Sequence, residues 1–74
     1  MKTIAEQLAC TRRELDMRRR VYPQWVRDGR MSRDAADREV ATMASIVDTL
    51  QKLQYLAEIS DEMKASYTSA NDPR

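Results

Sequence analysis

The sequence predicts an all-α fold in which two helices form an antiparallel, coiled-coil-like hairpin. Three observations support it. The 74 residues include only one Gly and two Pro, so turn-forming residues are scarce. Hydrophobic residues make up 42% of the chain and charged residues 34%. The apolar residues recur at spacings of three and four, which is the period of one helix face. We expect a single domain over residues 1–67.

The first helix is predicted over about residues 2–22. The residues of its apolar face are seven apart, and they therefore lie on one side of a helix: Met1, Leu8, Leu15 and Tyr22. No Gly or Pro interrupts residues 2–22. Pro23 disfavours helical backbone angles at the preceding residue, so the helix is expected to end or kink after Tyr22.

An elbow is predicted over residues 23–32, between the two helices. Pro23 suits the first position of a short turn. Gly29 is the chain's only residue that adopts a positive φ without steric cost, so we expect it to act as a left-handed cap. Ser32 is the expected N-cap of the second helix, because its hydroxyl can accept a backbone hydrogen bond.

The second helix is predicted over about residues 33–66, since no Gly or Pro occurs again until Pro73. Its apolar face consists of Ala36, Val40, Met43, Val47 and Leu50. The segment 68–74 is short and polar, and we expect it to be a disordered tail.

The two apolar faces match in register. Opposed positions in an antiparallel hairpin have a constant sum, and four pairs satisfy this condition: Tyr22 with Ala36, Leu15 with Met43, Leu8 with Leu50, and Met1 with Ala57. Arg18 falls between the faces, level with Val40, where it is expected to reach Glu39 and fix the register.

The second helix is longer than the first, at about 50 Å against about 30 Å. Its far end therefore has no partner within the chain, and a two-helix hairpin of this size buries little surface. We expect a homodimer in which the second helices pack together. The residues predicted to mediate self-association are Leu50, Leu53, Leu56, Ile59 and Met63.

Composition argues against catalysis and ligand chemistry. There is no His, and a single Cys forms neither an internal disulfide nor a zinc site. No apolar run approaches the ~18 residues of a membrane span, and the amino terminus lacks a signal-peptide apolar region. We expect no catalytic residue, cofactor, metal ion, small-molecule substrate or membrane association. The protein is predicted to be cytoplasmic and to act by binding.

The elbow carries the candidate partner-binding residues: Tyr22, Trp25, Arg27 and Arg30. Trp, Tyr and Arg are the residue types most enriched at binding hot spots. An alternative interpretation of Tyr22 and Trp25 is that they cap the open end of the hairpin core, since aromatic side chains bury large areas.

Basic residues are concentrated in the first half of the chain. Residues 1–38 contain ten Lys or Arg and six acids, whereas residues 39–74 contain three and six. The Arg residues without an obvious mate on their own helix are Arg12, Arg13, Arg19, Arg27, Arg30 and Arg33. They leave open an alternative function as a small nucleic-acid-binding accessory protein. The sequence pI of 7.9 disfavours it, because nucleic-acid-binding domains usually have a pI above about 9.

The run Arg18-Arg19-Arg20-Val21-Tyr22-Pro23-Gln24-Trp25-Val26, with Gly29-Arg30-Met31 after it, resembles short accessory proteins of tailed bacteriophages and prophages. The resemblance covers about residues 14–50, and most such proteins have no assigned activity. It implies a phage origin and action in the bacterial host. Those with a known activity often bind host proteins, such as quorum-sensing regulators, defence complexes or motor ATPases, and inhibit or redirect them.

The sequence therefore predicts a non-enzymatic phage-type interaction module that binds a host bacterial protein. Nucleic-acid binding by the Arg residues is the alternative, and a structural role in the virion is a third possibility.

Overall fold

The computed structural model describes the backbone of residues 1–70 and the side chains of residues 1–63. Within that part the chain forms two helices, α1 (Ile4–Arg27) and α2 (Arg33–Ala70), which pack against each other as an antiparallel hairpin. The molecule measures 70 × 19 × 17 Å, and its radius of gyration is 19.2 Å. A compact chain of this length would have a radius of gyration of about 11 Å. The predicted all-α hairpin is confirmed, and the molecule is a rod.

Helix α1 begins two residues later than predicted, at a capping box. The Glu6 N–H donates to the Thr3 hydroxyl at 3.0 Å, and the Thr3 N–H donates to the Glu6 carboxylate at 3.0 Å. The bond from the Thr3 backbone, followed by that from its hydroxyl, lowers the pKa of Glu6 below its usual value. The Thr-x-x-Glu spacing is the sequence signal for this start.

The predicted end of the first helix at Tyr22 is wrong, because α1 continues through Pro23 to Arg27. Proline lacks the N–H that would donate to the carbonyl of Arg19, one turn earlier. Arg19 and Pro23 are both exposed, so water can donate to the Arg19 carbonyl in place of the missing N–H. Tyr22 is buried, and Trp25 stacks on it from the last turn. We attribute the continuation to this packing, which overrides the local preference of proline.

The elbow closes with a Schellman motif at residues 25–30. Gly29 has a φ of 75°, which confirms the predicted left-handed cap. Its N–H donates to the Val26 carbonyl at 3.1 Å, and the Arg30 N–H donates to the Trp25 carbonyl at 2.9 Å. Residues 23–27 of the predicted elbow belong to α1, so only residues 28–32 connect the helices.

Helix α2 begins at Arg33, as predicted, and Ser32 is its N-cap. The Ala35 N–H donates to the Ser32 hydroxyl at 3.0 Å. The helix ends at Ala70, four residues beyond the predicted end, so residues 68–70 of the predicted tail are helical. Nothing in residues 34–70 stops a helix, since they contain no Gly or Pro. The rest of the predicted tail, 71–74, lies outside the described residues.

The core is a narrow seam between the helices, and its buried residues are Leu8, Leu15, Tyr22 and Ala36. Arg18 lies at this seam. Its guanidinium donates to the Glu14 carboxylate at 3.0 Å and to the Glu39 carbonyl at 3.2 Å, and it lies 3.9 Å from the Glu39 carboxylate. The predicted contact between Arg18 and Glu39 is confirmed. The hydrogen bond to Glu14 is the main cause of the raised pKa of Arg18.

The two helices differ in length by fourteen residues, since α1 contains 24 and α2 contains 38. At ~1.5 Å per residue, α2 is longer by about 20 Å. The contact of Arg18 with Glu39 sets the register and places the start of α1 level with about residue 53 of α2. We call residues 54–63 of α2 the arm, because α1 does not extend alongside them. Neither helix, over the described residues, contains an apolar stretch able to cross a bilayer.

Candidate interaction surfaces

The four predicted partner-binding residues lie together at the elbow but differ in exposure. Tyr22 is buried and belongs to the core, as the core-cap interpretation expected. Trp25 is half-buried, and its ring stacks on Tyr22 with centroids 5.5 Å apart and planes inclined by 28°. Arg27 and Arg30 are exposed. Partner binding by these residues stays a prediction, and the two arginines are its most accessible members.

Arg30 has an intramolecular role that the sequence reasoning missed. Its guanidinium carbon lies 5.3 Å from the centroid of the Trp25 ring, within cation–π range. The Schellman motif causes this contact, because it brings the residue after the left-handed glycine beside the third residue from the helix end. The position of Arg30 directly after Gly29 is the sequence signal for it.

A groove runs between α1 and α2 at the elbow end, with a volume of about 530 Å³. We call it the Arg-rimmed groove. Its floor is apolar and comes from both helices: Tyr22, Pro23, Val26, Ala36, Val40, Ala41 and Ala44. Its rim carries Arg18, Arg19, Arg27, Arg33 and Asp37. Of the predicted partner-binding residues, Tyr22 and Arg27 line this groove, whereas Trp25 and Arg30 stack outside it.

The rim of the Arg-rimmed groove is electropositive. Arg18 is neutralised by Glu14 and Glu39. Among the described side chains, Arg19, Arg27 and Arg33 form no ion pair, and Asp37 is the groove's one acidic residue. The groove therefore combines an apolar floor with an excess of positive charge, which favours an apolar ligand that also carries carboxylates or phosphates.

A second groove of about 700 Å³ lies towards the other end of α1, and we call it the Cys10 groove. Its lining includes Cys10 and Arg13 from α1, and Ile46 and Leu50 from α2. Cys10 is a free, exposed thiol. Ile46 is 39% exposed although it lies beside α1, so α1 covers this flank of α2 incompletely.

The residues predicted for self-association occupy two environments. Leu53, Leu56 and Met63 are 47%, 58% and 65% exposed, whereas Leu50 and Ile59 are half-buried. Leu50 lines the Cys10 groove, so part of it already contacts the hairpin. The prediction omitted Ile46 and Tyr55, which are also large, apolar and exposed. Self-association itself stays a prediction.

Among the described residues, no group of three His, Cys, Asp or Glu side chains is placed to hold a metal ion. The chain matches no protein-family model, no curated protein and no solved structure. The two grooves and the arm are therefore the candidate interaction surfaces of the described residues.

Proposed function

We propose that the protein is a non-enzymatic interaction module whose Arg-rimmed groove binds an acidic, amphipathic segment of a partner protein. The observation that carries this proposal is the pairing of an apolar floor with three arginines that lack ion pairs among the described side chains: Arg19, Arg27 and Arg33. Apolar contacts would supply affinity, and the arginines would select a partner with carboxylates at its edges.

The shape of the groove favours a helical ligand. Three of its floor residues are alanines, Ala36, Ala41 and Ala44, which allow the backbone of a ligand to approach α2 closely. The groove follows two packed helices, and a third helix lying along it would present side chains at three- and four-residue spacing. This is the helix-in-groove mode of recognition.

The resemblance of residues 14–50 to phage accessory proteins supports a bacterial host protein as the partner. Binding would act by occlusion, because a segment held in the Arg-rimmed groove is no longer available for the assembly or regulation of its own protein. We propose that this takes place in the host cytoplasm. We also propose that the protein is a homodimer that associates through the exposed apolar residues of α2.

The test is capture of host proteins from a bacterial lysate, followed by affinity measurement on the captured protein. The variant Arg27→Glu with Arg33→Glu reverses the charge of the groove rim. Its matched control, Arg12→Glu with Arg20→Glu, makes the same charge change at exposed positions that line neither groove. We expect the groove variant to weaken binding at least about tenfold, equivalent to about 1.4 kcal/mol, and the control to stay within about twofold of the wild type.

Equal loss of binding in the two variants would contradict groove recognition. The nucleic-acid alternative has its own signature in a mobility-shift titration with random duplex DNA. Affinity would fall steeply between low and moderate salt, and both charge-reversal pairs would weaken it alike. That outcome, without capture of a protein, would replace the proposal by a phosphate-binding function.

A further inference from the structure

We infer that a second copy of this chain packs on the arm. It lies antiparallel to the first copy, with Leu53 of one copy against Leu56 of the other. The inference rests on the self-association proposed above and specifies its direction and register. It also assigns the Cys10 groove, which would receive the end of the second copy's arm.

A stripe of residues on α2 lies apart from the seam that α1 covers. Its six residues alternate spacings of three and four, which is the pattern of a coiled-coil edge: Ile46, Thr49, Leu53, Leu56, Ser60 and Met63. We call them the arm stripe. All six are exposed, and the four apolar members are between 39% and 65% exposed. The hairpin therefore leaves a complete coiled-coil edge uncovered.

The arm stripe is self-complementary under a two-fold axis. When two stripes run in opposite directions, with the axis between Leu53 and Leu56, each of these leucines meets the other in the second copy. The same register pairs Thr49 with Ser60, and Ile46 with Met63. Apolar residues face apolar residues and the hydroxyl-bearing residues face each other, which is what a symmetric dimer interface requires.

The distribution of charge along the chain favours the antiparallel direction. A parallel dimer would place the basic first halves of both copies at the same end. Residues 1–38 of each copy carry ten Lys or Arg against six acids, and like charges brought near one another repel. The antiparallel register separates these basic halves and brings the acidic residues Glu58, Asp61 and Glu62 level with residues 47–51 of the other copy, beside the Cys10 groove. The one acid in that range, Asp48, is already paired with Lys52 at 3.0 Å. That groove is lined by Lys2, which pairs with Glu6, and by Arg13, which has no ion pair among the described side chains.

The exposed surface area of the chain also supports the binding of a second copy. The chain exposes 6020 Å², whereas a compact monomer of 8.6 kDa exposes about 4,700 Å². The surplus of about 1,300 Å² exceeds the ~800 Å² that each partner contributes to a standard interface. Because Ile46 belongs both to the arm stripe and to the Cys10 groove, the second copy would cover one continuous surface.

The antiparallel dimer would place the two Arg-rimmed grooves at opposite ends of the rod. With the two-fold axis between Leu53 and Leu56, the grooves lie about 50 Å apart at ~1.5 Å per residue. They could bind two segments at once, on one partner assembly or on two molecules. Bivalent binding of this kind raises apparent affinity without any new contact in either groove.

Disulfide crosslinking tests direction and register together. In a Cys10→Ala background, which removes the native thiol, Thr49→Cys and Ser60→Cys are prepared separately, one of them with a mass tag. Opposed positions in this register would be close enough for a disulfide, which needs Cα atoms about 4.4–6.8 Å apart. We expect the oxidised mixture to form the mixed dimer, and each variant alone to stay uncrosslinked. Circular dichroism verifies that both variants remain helical.

Two results would overturn the inference. Crosslinking of each variant with itself would show parallel, in-register arms. Absence of crosslinks, together with a monomer mass for the wild type in sedimentation equilibrium, would show that no second copy binds. Neither result bears on the Arg-rimmed groove, because capture by the Arg27→Glu, Arg33→Glu variant is scored on its own. A monomer that still binds a host protein through the groove would separate the failure of this inference from that of the proposed function.

Discussion

The elbow half of the hairpin, residues 15–43, and the arm contain similar proportions of apolar residues, yet different interactions hold them. In the elbow half, Leu15, Tyr22 and Ala36 are buried, and Arg18 joins both helices. In the arm, Leu56 and Met63 have more than half of their surface exposed. Helix α2 is thus packed against α1 in the elbow half and largely exposed over residues 54–63.

This difference indicates what maintains the arm as a helix. The arm contains no Gly or Pro, and an ion pair from Lys52 to Asp48 at 3.0 Å lies just before it. Helix propensity and such pairs add only tenths of a kcal/mol each, and isolated helices of this length are marginal in water. The elbow half is packed within one chain, whereas the exposed arm is the region on which we propose that a second copy packs.

The largest expected effect is the difference in stability loss when one leucine is truncated in each region. Leu15→Ala removes a side chain that is 8% exposed, and we expect a loss of about 2–5 kcal/mol in the free energy of unfolding. Leu56→Ala removes one that is 58% exposed, and we expect a change within about 0.5 kcal/mol. Urea unfolding followed by circular dichroism measures both.

The background for this pair is Leu53→Glu, which disrupts the proposed dimer so that both values refer to the hairpin alone. Similar losses for the two truncations would mean that the arm is packed against the same chain, contrary to its exposure.

A smaller effect, and one of opposite sign, is expected within the elbow half. Pro23→Ala restores the N–H that can donate to the carbonyl of Arg19. Because proline inside a helix costs about 3 kcal/mol, while its rigidity favours folding by about 0.4–1 kcal/mol, we expect a gain of about 2 kcal/mol. Thermal unfolding measures the gain. Gln24→Ala, an exposed neighbour, is the control and is expected to change little. Destabilisation by Pro23→Ala would show that the packing of its ring in the Arg-rimmed groove outweighs the lost hydrogen bond.

The elements that local rules govern could be predicted from the sequence. The seven-residue spacing of Leu8, Leu15 and Tyr22 identified the buried face of α1, and Gly29 and Ser32 fulfil the capping roles that their chemistry suggests. Pro23 could not be placed correctly, because its effect depends on what the following turn packs against. Tertiary burial of Tyr22 overrode a sound local preference.

The candidate site was predictable only in part. Arg27 belongs to the Arg-rimmed groove, but the periodicity of one helix does not reveal a groove formed by two. The contributions of Ala41 and Ala44 depend on the register between the helices, and on the small size of these residues where α1 passes. The contact of Arg30 with Trp25 follows from the backbone path through Gly29, which hydrophobic patterns do not describe.

Amide hydrogen exchange followed by mass spectrometry tests most directly whether the arm is completed by another copy. It is measured on the wild type at two protein concentrations about a hundredfold apart. We expect protection of residues 54–63 to rise with concentration, while protection of residues 15–27 is governed by the hairpin and changes much less. Equal protection of the arm at both concentrations, with a monomer mass at the higher one, would contradict the claim that a second copy packs on the arm.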